Sequence, residues 1–121
     1  MATFIGAEYV IANLFIEKSK RKLPQEVSIK EINVFSNYLQ KKANSSNIDA
    51  IFLTSYYQIC NSIYNYPEYF IFDKKKEIIY LKKGCDNNSL ESRFYGYLSL
   101  EVLKFMTLET IDFLDNNLIT K

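Results

Sequence analysis

Histidine and tryptophan are absent from the 121 residues, glycine occurs three times, and proline and cysteine twice each. Each scarcity closes off a class of function. Without histidine the usual general base, the usual zinc ligand and every Ser–His or Cys–His nucleophile pair are missing. Gly6, Gly84 and Gly96 stand alone, so no glycine-rich loop can cradle a phosphate. Cys60 and Cys85 lie in different segments and match no metal-ligand spacing; reduced thiols are expected of both. No run of about 20 apolar residues exists to span a bilayer. Met1-Ala2-Thr3-Phe4 lacks the charged segment and apolar stretch of a signal peptide. The remaining carboxylates are scattered. A cytoplasmic, non-catalytic protein with no metal and no cofactor is expected, one that works by binding.

What is present is core material. The chain is 48% hydrophobic and 16% aromatic, enough for one domain over residues 1–121 and too short for two. Ile, Asn, Lys, Tyr and Phe crowd the sequence, the mixture an AT-rich coding sequence supplies. The composition points to a low-GC bacterium, or a plasmid or phage within one, and it lowers the weight of any single Asn or Tyr. The net charge of +1 conceals an asymmetry. Residues 1–85 carry twelve Lys and Arg against eight Asp and Glu, and residues 86–121 carry three against six.

The spacing of apolar residues predicts a first helix over about Phe4–Lys18, with Ala7, Val10, Ile11, Leu14 and Phe15 on its stripe and Glu8, Asn13 and Glu17 off it. Ser28 and Glu31 form a capping box for a second helix, Val27 and Ile32 its hydrophobic staple, and Ile32, Phe35 and Leu39 its buried stripe. A third helix is predicted from about Asp49 to Asn65, ended by Pro67. Two strands follow, Tyr69–Phe72 and Glu77–Leu81, joined by a tight tip at Asp73-Lys74-Lys75-Lys76. Ser89 is expected to cap the next helix. Gly96 is expected to interrupt it, with a longer helix beginning near Ser99.

Three helices, then a hairpin with a basic tip, is the order of elements in a winged-helix domain, and residues 4–84 resemble that superfamily in element order and charge placement. A short strand near Glu26-Val27-Ser28 would fit the family as well. The resemblance implies an α+β, mostly helical fold: a three-helix core, a two-stranded β-hairpin wing and a C-terminal helical region over residues 89–118. It implies a third helix whose uncharged face, Thr54, Tyr57, Gln58, Asn61 and Asn65, reads base edges, since Asn and Gln bond adenine bidentately. It implies a wing, Lys74, Lys75 and Lys76 with Lys82 and Lys83 at its base, that contacts phosphates. Lys20, Arg21, Lys22, Lys41 and Lys42 are further candidates for the DNA backbone.

The broad apolar surface of the C-terminal region, with Phe94, Leu98, Val102, Phe105, Met106 and Phe113, predicts a homodimer, which suits palindromic sites. The leading expectation is a non-enzymatic double-stranded DNA-binding protein. It would be a transcriptional regulator, or a plasmid or phage accessory that marks a site for partition or conjugative transfer beside other DNA-processing proteins. Two features weigh against it: an isoelectric point of only 7.7, and no Lys or Arg between residues 49 and 73. The alternative is a protein-binding inhibitor or adaptor acting through the C-terminal helix. A carboxylate–lysine nuclease is the least favoured reading.

Overall fold

A computed structural model describes residues 2–118. It is an α+β fold of five α-helices and two small sheets: β1 (Thr3–Gly6), α1 (Ala7–Lys20), β2 (Glu26–Ser28), α2 (Ile29–Ser45), β3 (Ala50–Leu53), α3 (Tyr56–Asn65), β4 (Phe70–Asp73), β5 (Ile78–Leu81), α4 (Asn87–Phe94) and α5 (Leu100–Phe113). A single 3₁₀ turn at Tyr95–Tyr97 separates α4 from α5, and a π-helical turn extends α5 over Leu114–Leu118. None of the described helices is long and apolar enough to cross a membrane.

α1 is the axis of the molecule. It packs against α2, α3, α4 and α5, and every residue from Val10 to Lys18 is buried. The expected amphipathic stripe is therefore corrected: Asn13 and Glu17 are buried too, because neighbours enclose the helix on all sides. Asn13 is served from the C-terminal region. Its Nδ2 donates to Tyr95 Oη at 2.9 Å and Thr107 Oγ1 at 3.1 Å, while its Oδ1 has no partner. Burial pushes the Tyr95 phenol well above its ordinary range.

Two expected helical starts are strands. Residues 3–6 and 50–53 pair in parallel, Thr3 opposite Ala50 through Gly6 opposite Leu53. The first helix therefore begins at Ala7 and the third at Tyr56, capped by Ser55, whose hydroxyl accepts from the Gln58 N–H at 3.2 Å. Periodicity misread both stretches because a four-residue parallel pair carries no local turn signal. The outer edge of β3 is closed by Gln40, which donates to the Ala50 carbonyl and accepts from the Phe52 N–H.

β2 lies between α1 and α2 and pairs antiparallel with β5, giving a three-stranded sheet of order β2-β5-β4. Val27, Ile79 and Phe72 align across it, with Val27 and Ile79 fully buried against the helices. Ser28 caps α2 as expected, its hydroxyl accepting from the Glu31 N–H at 3.0 Å. The reciprocal half of the capping box is replaced: the Glu31 carboxylate turns to Lys18 at 2.9 Å. Asp86, and not Ser89, caps α4 by accepting from the Ser89 N–H at 2.9 Å. Ser99 caps α5 through the Val102 N–H.

The aromatic core joins the C-terminal region to everything before it. Phe35 meets Phe113 at 4.8 Å between ring centroids, and Phe94 stacks with Phe70 at 6.0 Å.

Candidate nucleic-acid interface

The hairpin is clamped at both ends. At its base the Lys82 N–H donates to the Tyr69 carbonyl at 2.8 Å. At its tip the Asp73 carboxylate accepts from the Lys76 N–H at 3.1 Å, and Glu77 takes a left-handed φ of 55°. Glu77 is thus the last residue of the turn rather than the first of the strand. Lys74, Lys75 and Lys76 project into solvent from this turn, and among the described residues none meets a carboxylate within ion-pair distance.

Lys82 and Lys83 are exposed at the other end of the hairpin. Four residues per strand at about 3.3 Å each separate them from the tip by roughly 13 Å. Tip and base lysines thus form two separate groups, as expected from the sequence. A neighbour of the tip was missed: the Ile29 N–H donates to the Glu77 carbonyl at 3.0 Å, which sets the exposed Lys30 of α2 beside the turn. Its signal was present in the sequence, a lysine in the first turn of a helix whose cap, Ser28, ends the wing's partner strand.

α3 ends two residues before Pro67 and packs against β4 of the hairpin, leaving one face of the helix free. Tyr57, Asn61 and Asn65 occupy that face and are exposed. Gln58 is half-buried. Thr54 is corrected: it precedes the helix and is buried. Tyr64, 82% exposed, was missed; with Tyr57, 73% exposed, it brackets Asn61 at helical spacing. The result is a polar, uncharged surface with two free phenol rings.

The backbone candidates divide. Arg21 is already committed, with Nε 2.7 Å from Asp115 and Nη1 2.9 Å from Glu17, and Lys20 leans on Glu17 at 3.3 Å. The Arg21 guanidinium in turn holds the Asp115 carboxyl below the usual carboxylate range. Arg21 is thus held within the fold, whereas Lys20, despite its contact with Glu17, and Lys22 are exposed. Lys41 and Lys42 lie about 20 Å along α2 from its cap, with Lys42 5.8 Å from the centre of the Tyr38 ring.

The apolar C-terminal residues are also reassigned. Phe94, Val102, Met106 and Phe113 are buried in the chain's own core, and Leu98 and Phe105 pack against it. The four buried side chains cannot form the face offered to a second copy, and Leu98 and Phe105 are half-buried. The exposed apolar groups of this region are Tyr97, Leu100 and Leu108, at 70%, 80% and 56% exposure. No family model, curated protein or solved structure matches the chain.

Proposed function

We propose that this chain is a non-enzymatic double-stranded DNA-binding protein of the winged-helix type, a transcriptional regulator or a site-marking accessory of a plasmid or phage. The observation that carries the reading is the sheet order β2-β5-β4, with β2 threaded between α1 and α2. α3 packs against β4 of the hairpin, and a wing next to the third helix is what the winged-helix resemblance implies, so this packing supports the reading. The free charge supports it. Lys74, Lys75 and Lys76 stand exposed on the turn with Lys30 next to them, placed for phosphate oxygens. Tyr57, Asn61, Tyr64 and Asn65, exposed on α3, would form the base-reading surface. The lysines supply the attraction and α3 supplies the preference.

A homodimer belongs to the same proposal, and its surface is Tyr97, Leu100 and Leu108 on the outer side of the C-terminal region. The protein would work in the cytoplasm beside other DNA-processing proteins.

Fluorescence anisotropy on a mixed duplex pool, with salt raised from about 50 to about 200 mM, tests the reading. Each neutralised phosphate contributes roughly 0.9 to the log–log salt slope. Changing Lys74, Lys75 and Lys76 together to Ala is expected to reduce the slope by about 2 to 3. Asn61→Ala is expected to relax sequence preference and leave the slope nearly intact. No binding at the low-salt end overturns the proposal, and an unchanged slope in the triple variant removes the wing from it.

A further inference from the structure

A recess of about 380 Å³ opens where the end of α1, the turn after it, the edge strand β2 and the first turn of α2 meet. Leu23, Pro24 and Ile78 supply apolar walls, and Lys18, Glu26, Ser28 and Glu31 supply the polar groups. Its volume falls in the range of small-molecule sites, and its lining has their character: hydrocarbon with a few placed charges.

The polar groups are unevenly matched. Lys18 Nζ donates to the Glu26 carbonyl at 2.7 Å and to Glu31 Oε1 at 2.9 Å. Both side chains of this pair are only 9% exposed. Glu31 Oε2 is buried with no hydrogen-bond partner, which is costly for a carboxylate oxygen. The Glu26 carboxylate meets no cation within ion-pair distance among the described residues. With Glu26 and Glu31 against one lysine, the lining carries a net negative charge, and Glu31 leaves one buried acceptor unfilled. An anion would find only Lys18, already engaged. A neutral apolar molecule would leave the acceptor unfilled.

We propose that this recess binds a small organic ammonium ion: a protonated amine on a compact hydrocarbon body, its N–H groups directed to Glu26 and Glu31 and its body against Leu23, Pro24 and Ile78. The inference is independent of DNA binding. The occupant would touch both the first turn of α2 and Ile78, the first residue of the wing's second strand.

Phenethylammonium chloride is the test ligand, with phenethyl alcohol and sodium phenylacetate as neutral and anionic controls at equal ionic strength. Backbone amide shifts are followed by two-dimensional NMR at neutral pH without DNA. The ammonium is expected to shift the amides of residues 23–31 and of Ile78 saturably, with the alcohol and the acid weaker. Glu26→Gln, at the rim of the recess, is expected to weaken ammonium binding about three- to fivefold without disturbing the other amides. No saturable shift below about 10 mM overturns the proposal. So does equal binding of the alcohol, which would leave only a hydrophobic recess, or an unchanged affinity in the Glu26→Gln protein.

Discussion

Asn13 shows what a single polar residue does inside this core. One amide group on the central helix holds two hydroxyls from the C-terminal region, Tyr95 and Thr107. Asn13→Ala removes the donor that both share and leaves them only each other, and a buried polar group that loses a partner costs more than a hydrogen bond contributes. Loss of about 2 kcal/mol is expected, measured by urea denaturation. Replacing all three together, Asn13→Leu with Tyr95→Phe and Thr107→Val, is expected to cost less than Asn13→Ala alone, because nothing is left unpaired. A greater loss in the triple variant would place the stabilisation in packing instead.

Asp86 gives a residue-scale pH effect. The Ser89 backbone N–H holds its carboxyl below the usual carboxylate range. A depressed folded pKa adds stability above the unfolded value, near 3.9, and that stability is lost as pH falls through the folded value. Asp86→Asn keeps an acceptor at the cap and removes the titration. Thermal melts compared over about pH 5 to 3 are expected to fall less steeply in that variant.

At the scale of elements, caps and packing divide the work. α2 and α3 start where a serine accepts an N–H three residues on, Ser28 from Glu31 and Ser55 from Gln58. Ser55→Ala is expected to cost about 1 kcal/mol and to loosen the first turn of α3, seen as faster amide exchange at Tyr57 and Gln58. If α3 reads DNA as proposed, a frayed start is expected to cost sequence preference before affinity. Gly6 has a different function. The Glu8 carboxylate folds back over it, 2.6 Å from where a Cβ would sit, to accept from the Ser62 hydroxyl at 2.7 Å. That contact ties the start of α1 to α3.

On the scale of the whole molecule, the C-terminal region completes the core. Phe94 and Phe113 are inserted among Phe70 and Phe35, so a fragment ending near residue 84 would expose a large apolar surface. The dimer prediction belongs at this scale too. Leu108→Glu is expected to shift the protein from dimer to monomer in light scattering, while thermal stability changes little, because Leu108 is 56% exposed. A wild-type monomer at tens of micromolar would remove the dimer from the proposal.

The sequence alone determined the pieces whose signals are local. The Ser28 cap, the hairpin with its lysine tip, the break at Gly96 and the start at Ser99 were legible, because caps and turns depend on residues within a few positions of each other. Tertiary structure decided whatever depended on distant partners. Thr3–Gly6 and Ala50–Leu53 are strands only because they meet each other. Asn13 and Glu17 are buried only because α5 and its neighbours close over α1. Arg21 has a local partner in Glu17, but its second, Asp115, arrives from the far end of the chain. The recess beside β2 could not be read at all, since Lys18, Glu31 and Ile78 come together only when a helix end, a helix start and a strand converge.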